Sequence, residues 1–250
     1  MEEDPSSFMK EDKPKIPLVI SFLTEVFGTT ILMWMGCLGC IYTYNIGPVI
    51  PAFAFGLAVT SVIQIFGHIS PIHINPAVSL GVLILGKMHW MRFIVYLLGQ
   101  YVGAMFGFFL LWATMPYTEQ TVCLLKVNSF ANPLKAFFIE YFATMILMFV
   151  VASVVDPANS TYKDSLSLKL GMVVAGLVFS VEPSTGACLN PARSLPPCVF
   201  YNDFINHWLY QIGPFAGMAT AAAMYRFLFD GTEKYSLHTF LKQKFTWCSH

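Results

Sequence analysis

Charge is what this chain has least of. Of its 250 residues only 11% are Asp, Glu, Lys or Arg, against about 25% in an ordinary soluble domain. So few charges leave too little polar surface to face water, and they point to lipid as the solvent. The 14 basic and 14 acidic residues cancel, so there is no basic field for nucleic acid and no charged arm. Reactive constellations are missing as well. No Cys, His, Asp and Glu cluster has zinc spacing, no phosphate-cradling loop appears, and no nucleophile sits beside a base. An enzyme is therefore not expected, nor a cofactor or metal. The first 15 residues are polar and hold no short apolar region, and the apolar stretch that follows is too long for a cleaved leader. Six cysteines are present: Cys37, Cys40, Cys123, Cys188, Cys198 and Cys248. Cys37 and Cys40 make a C-x-x-C, but the redox reading of that motif needs a βαβ context that is not there. They read as small residues packed between helices, and no disulfide framework is expected.

What is there in quantity is apolar sequence, 56% of the chain. A bilayer core about 30 Å thick needs roughly 20 apolar residues per helix. Six stretches qualify: 16–42, 49–67, 91–115, 134–155, 166–181 and 208–229. Each must be helical, because lipid offers no partner to unpaired backbone groups. Two further apolar segments, 76–86 and 191–200, are too short to span.

Lys and Arg set the expected orientation. With six spans both termini share one side. That side collects Lys10, Lys13, Lys15, Lys87, Arg92, Lys163, Lys169, Arg226, Lys234, Lys242 and Lys244; the other has Lys126 and Lys135. Both termini are thus expected in the cytoplasm. Asn159-Ser160-Thr161 fits the glycosylation pattern but falls in a cytoplasmic loop, so no sugar is expected.

The two halves repeat. Asn75-Pro76-Ala77-Val78-Ser79 recurs 115 residues later as Asn190-Pro191-Ala192-Arg193-Ser194, and Glu25 recurs at the same offset as Glu140. Gln100 and Gln211 form a looser third match. An odd number of spans per half makes the halves cross the membrane in opposite senses. Inverted repeats place their sites near the midplane, where short interrupted helices meet. The fold class is therefore an all-α membrane protein: six transmembrane helices plus two re-entrant half-helices in an inverted 3+3 repeat. The expected organisation is a tail over 1–15, a channel domain over 16–229 (repeats about 16–115 and 131–229) and a tail over 230–250.

Pro suits the first helical position and Asn the cap before it. Asn-Pro-Ala therefore reads as a helix start, made twice. If the starts meet, each Asn could instead turn its NH2 toward a pore. Both positive dipole ends would then face one point, a barrier to cations but not to neutral molecules. Glu25 and Glu140 are costly inside spans. Their symmetric placement favours backbone acceptors supporting the two short segments over a proton relay. Gly99, Gly103 and Gly107, and likewise Gly213 and Gly217, form small faces for close helix packing.

These residues resemble the aquaporin (major intrinsic protein) family over about 18–229. Gly67-His68-Ile69-Ser70 with His73-Ile74-Asn75-Pro76-Ala77 looks like the first re-entrant loop. Thr185-Gly186 with Asn190-Pro191-Ala192-Arg193-Ser194 looks like the second. Half-helix dipoles with an Arg are the recognised way in which such pores exclude protons. The resemblance implies a homotetramer with one pore per subunit and a four-residue outer filter. By position that filter is Phe55, Val178, Ala187 and Arg193. It implies a ladder of pore carbonyls at Pro71, Ile72, His73, Gly186, Ala187 and Cys188. Water-selective members carry His where this chain has Val178. The loss widens the filter and gives it an apolar wall facing a donating Arg. Ser194, where glycerol channels carry Asp, is as in water channels. A water-type background without the filter His resembles an insect branch of glycerol-permeable aquaporins. Pro71, Glu182, Pro183 and Gln211 are unusual for the family. His73 reads equally as a pore-lining, pH-sensitive group and as a structural one; His68 reads as structural and His207 as an interfacial anchor.

The expected function is a passive channel for water and small uncharged solutes such as glycerol and urea, excluding protons and ions, in the plasma membrane. Three alternatives stand beside it: a water-only channel, a poorly conducting junctional protein of the same fold, and a proton-coupled transporter using Glu25 and Glu140.

Overall fold

The computed structural model describes residues 16–41, 47–115, 121, 123–162 and 164–230. The expected tail over 1–15, and all but the first residue of the tail over 230–250, lie outside them. Among the described residues there is no strand. Eight α-helices follow in order: α1 Leu18–Leu38, α2 Val49–Phe66, α3 Pro76–Ile84, α4 Trp90–Thr114, α5 Pro133–Val155, α6 Leu166–Thr185, α7 Pro191–Tyr201 and α8 His207–Leu228. A 3-10 turn, Pro157–Tyr162, joins α5 to α6. Six are long and two, α3 and α7, are half-length. By length and composition α1, α2, α4, α5 and α6 can each cross a bilayer. With 22 residues α8 is as long, but His207, Gln211, two glycines and Arg226 dilute its apolar character.

Two boundaries differ from the sequence reading by more than two residues. Apolar sequence runs on to residue 42, yet α1 stops at Leu38. Helix α6 passes through Pro183 to Thr185 rather than ending at 181. Pro183 removes the N–H that would reach Phe179 O, and beyond it only the last carbonyls of the helix are left, which have no internal partner in any case. Asn128 supplies partners there, its N–H reaching Ser184 O at 3.0 Å and its Nδ2 reaching Pro183 O at 3.2 Å.

The repeat governs the packing. Helix α1 lies along α4 and α5 lies along α8, while α2 and α6 pair across the two halves. Glycine makes these approaches possible. A Cβ at Gly99 would meet Phe22 O at 2.9 Å, and one at Gly103 or Gly217 would collide with the main-chain oxygens of Val26 and Tyr141. Gly56 and Gly171 stand backbone to backbone in the same way between α2 and α6. In lipid, where burial gives little drive, such contact and hydrogen bonds between helices supply the association. Thr30 Oγ1 donates to Gly103 O at 3.1 Å. Tyr141 Oη donates to Thr220 Oγ1 at 3.0 Å. The outside of the bundle is apolar, with Phe27, Trp34, Phe53, Phe106, Phe142 and Phe227 among its exposed side chains.

One sequence expectation is overturned. Cys37, at the end of α1, is disulfide-bonded to Cys123 in the connection between α4 and α5. The two are 86 residues apart, so only the folded chain brings them together. Cys40 remains a thiol in the same cluster, 3.7 Å from the Cys123 sulfur.

Candidate functional site

Helices α3 and α7 begin at equivalent points and face each other there. Each start is capped by its own asparagine. Asn75 Oδ1 accepts from Ala77 N–H at 2.9 Å and Asn190 Oδ1 from Ala192 N–H at 3.0 Å, with Pro76 and Pro191 at the first helical positions. The amide nitrogens then cross between the halves. Asn75 Nδ2 donates to Leu189 O at 2.8 Å, and Asn190 Nδ2 donates to Ile74 O at 2.7 Å. The sequence allows either an Asn cap or an NH2 group turned toward a pore. In the structure the oxygen is the ordinary N-cap, and each NH2 ties one half to the other.

Ile74 and Leu189, whose carbonyls receive these bonds, have φ of 49° and 54°. The left-handed region costs a side-chain-bearing residue about 1–2 kcal/mol, and for a β-branched Ile it is an outlier. The two buried carboxylates hold the backbone in that shape. Glu25 Oε1 accepts from His73 N–H and Oε2 from Ile74 N–H, both at 2.7 Å. Glu140 Oε1 accepts from Cys188 N–H and Oε2 from Leu189 N–H, both at 2.9 Å. Hydrogen bonds to charged groups contribute about 1.5–3 kcal/mol each, enough in pairs to outweigh the strain.

The surrounding polar groups repeat only in part. Gln100 Nε2 donates to Glu25 Oε2 at 2.8 Å and to Ser79 Oγ at 2.9 Å. Gln211 Nε2 donates to Ser194 Oγ at 2.8 Å and to Pro191 O at 3.0 Å, but it does not reach Glu140. Thr185 takes that place, its hydroxyl donating to Glu140 Oε1 at 2.6 Å. His207 is more than an interfacial anchor, since its ring nitrogens lie 3.2 Å from Cys198 Sγ and 3.2 Å from Gln211 Nε2.

A passage of about 880 Å³ runs past these starts. Ile16, His68, Val155 and Leu166 line it on one side of these starts, Asn75 and Asn190 line it at the starts themselves, and Phe55, Val178, Ala187 and Arg193 line it on the other side. The last four are all buried, between 3% and 6% exposed, although they come from α2, α6, the loop before α7, and α7 itself. The Arg193 guanidinium lies 5.2 Å from the centroid of the Phe55 ring. Its Nη1 donates to Cys123 O at 3.1 Å and its Nη2 to Gly186 O at 3.5 Å.

Pro71, Ile72, His73, Ala187 and Cys188 also line the passage. The Pro71 carbonyl already accepts from the Tyr96 hydroxyl, which leaves it one lone pair for anything else. Likewise the Gly186 carbonyl is engaged by Arg193. His73 lines the passage while Nδ1 lies 3.0 Å from Ser79 Oγ and the ring packs edge-on to Tyr96 at 4.9 Å. Both readings of this histidine keep a structural counterpart.

Sequence reasoning passed over several groups that build the site. Ile74 and Leu189 carry the crossing carbonyls, Thr185 completes the Glu140 cradle, and Cys123 carries the oxygen on Arg193. The 115-residue offset that pairs Asn75 with Asn190 also pairs Ile74 with Leu189, so those two were within reach. Nothing in the sequence singles out Cys123.

Comparison with known proteins places this architecture. The family profile described as Major intrinsic protein matches residues 14–225. Among curated relatives, the lens fiber major intrinsic protein of Lithobates pipiens is 33% identical over 209 residues, covering 82% of this chain and 79% of the relative. Aquaporin-4 of Mus musculus is 34% identical over 185 residues, covering 72% of this chain and 56% of that protein. Among solved structures, the aquaglyceroporin from Plasmodium falciparum matches with a TM-score of 0.72 at 24% identity, over 84% of this chain and 96% of that one. At that identity the likeness speaks for the fold.

Proposed function

The chain belongs to the major intrinsic protein family, a membrane channel rather than an enzyme, and from that premise we propose that it is a passive pore for water and for small uncharged solutes such as glycerol and urea. The observation that carries the reading is the meeting of two capped helix starts in the wall of one cavity. Asn75 and Asn190 are both in its wall, and each is bonded across to the other half. Both positive dipole ends bear on that point, and Arg193 adds a fixed positive charge at one end. A cation or a proton would meet a barrier at each place, whereas a neutral molecule would not.

The solute range follows from the end lined by Phe55, Val178, Ala187 and Arg193. Phe55, Val178 and Ala187 present carbon, and Arg193 opposes them with donors. A polyol or an amide can turn its carbon side to that wall and its oxygen to the guanidinium. Val178 supplies no polar group where an imidazole would compete for the same oxygen. The resemblance to the insect branch lacking the filter His agrees with this range. The carbonyls at Ile72, His73, Ala187 and Cys188 would accept from the solute along the way, with Pro71 and Gly186 contributing less.

The coupled-transporter reading is weaker. All four carboxylate oxygens of Glu25 and Glu140 are occupied by loop N–H groups, and neither residue lines the passage. We further propose the homotetramer, a plasma-membrane location, cytoplasmic termini and a channel domain over 16–229.

The test is light scattering of proteoliposomes under water, glycerol and urea gradients. The wild-type chain is expected to pass all three faster than protein-free liposomes. Val178→His should lower glycerol and urea entry more than water flux. Entry of water alone into wild-type vesicles would overturn the wide-filter reading, and flux driven by a pH gradient would overturn the passive pore.

A further inference from the structure

Arg193 is held on one side by a main-chain oxygen of a disulfide-bonded residue. Cys123 O, at 3.1 Å, is the shorter of the two hydrogen bonds on the guanidinium; Gly186 O lies at 3.5 Å. The third nitrogen, Nε, is buried with no hydrogen-bond partner among the described residues. The residue supplying the oxygen belongs to no helix. Its φ is +62°, in the left-handed region that a residue with a side chain avoids. Such a backbone persists only where its surroundings fix it. Here the fixing contact is covalent, since Cys123 Sγ is bonded to Cys37 on α1. A second sulfur is within reach. Cys40, one turn further along the same segment, places its Sγ 3.7 Å from Cys123 Sγ.

We propose that the disulfide to Cys123 is the element that positions Arg193 for solute selection, and that Cys37 and Cys40 are interchangeable partners for it. The inference rests on the filter reading above and deepens it. Exchange needs no outside redox agent. The Cys40 thiolate attacks Cys123 Sγ, the Cys40–Cys123 bond forms as the Cys37–Cys123 bond breaks, and Cys37 leaves as a thiolate that takes up the proton Cys40 gave. Both pairings tie Cys123 to the end of α1, so both keep its carbonyl on Arg193. Full reduction by an added dithiol releases it: two electrons and two protons pass to the protein, and the reductant leaves as its own disulfide. Cys123 is thus a positioning residue, and the C-x-x-C is a pair of alternative anchors rather than packing.

The experiment uses the full chain in proteoliposomes, as wild type, C37S, C40S, C37S/C40S and C123S. It combines mass-spectrometric disulfide mapping under non-reducing conditions with glycerol, urea and water permeabilities and a melting temperature. Mapping is expected to give Cys37–Cys123 in wild type and C40S. In C37S it should give Cys40–Cys123, its two thiols having been oxidised by a disulfide donor of the producing cell. The ratio of solute to water permeability should stay near the wild-type value in both single variants. In C37S/C40S, in C123S and in dithiol-treated wild type it should shift about tenfold, the weight of one hydrogen bond to a charged group. Retained water flux and melting temperature would separate this shift from misfolding. A C37S chain whose Cys123 stays reduced overturns the interchange. A C37S/C40S ratio within about twofold of wild type overturns the positioning. If wild type passes no glycerol or urea, the wide-filter reading fails by itself. The disulfide map still decides the interchange, and the reactivity of Arg193 toward a guanidine-modifying dicarbonyl, raised by the dithiol in wild type and unchanged by it in C123S, still decides the positioning.

Discussion

Replacing Gly36 by alanine adds one methyl group where α1 faces the ring of Phe55. That methyl carbon would fall inside van der Waals contact of the ring's Cδ1 and Cε1, and 2.9 Å from Cζ. Carbon atoms settle at about 3.5–4.0 Å, so the ring must withdraw by roughly 1 Å. Helix α1 closes one side, and the ring already faces the passage and Arg193. Withdrawal therefore narrows the end that Phe55 shares with Val178 and Ala187. The helix itself should gain about 0.5–1 kcal/mol from Gly to Ala, while overpacking costs about 1–3 kcal/mol. The fold should survive with a net loss near 1 kcal/mol. If the tighter opening adds about 1.4 kcal/mol to the barrier for glycerol or urea, their entry falls about tenfold. Water, being smaller, should lose less. The assay is stopped-flow scattering of proteoliposomes loaded with G36A, alongside F55A and the G36A/F55A double variant. In the double variant the methyl has nothing to push, so solute entry should return to the F55A value. A well-folded G36A whose solute-to-water ratio matches wild type would refute the placement of Phe55 as the wall that sets solute size.

Glu25→Gln leaves either His73 N–H or Ile74 N–H facing an amide donor in a buried site, and should lower stability by about 2–4 kcal/mol; thermal unfolding in detergent would read it, and an unchanged midpoint would argue against the support role. Asn75→Asp keeps an acceptor for Ala77 N–H but loses the donor to Leu189 O and places negative charge between the dipole ends; current recordings should then show cation leak that wild type lacks. Gly217→Val should abolish folded yield, because its side chain would strike Tyr141 O and Thr144 between α5 and α8. Gly176→Ala, whose Cβ meets nothing within 4 Å, should leave yield and flux unchanged, and size-exclusion profiles of the two would show the contrast.

The sequence by itself determined the architecture, because lipid removes nearly every alternative. Long apolar runs can only be helices there, and two Asn-Pro-Ala starts at a fixed offset, each opening a run too short to cross, can only be half-helices that meet. Glu25 and Glu140 were legible for the same reason, since a carboxylate inside a span must face a donor and the two short segments are the donors in need. What only tertiary structure decided is how those pieces are joined. The Asn amides bind the opposite half because Ile74 and Leu189 adopt left-handed backbone that turns their carbonyls across, a conformation no side-chain pattern announces. Helix α6 runs through Pro183 to Thr185, where Asn128, 55 residues from Pro183, takes the last carbonyls of the helix. Cys37 meets Cys123, and Cys123 meets Arg193, only because α1, the α4–α5 connection and α7 converge at one point. Local sequence fixes which residues form a helix in lipid; contacts between residues far apart in the chain depend on where the helices finally cross.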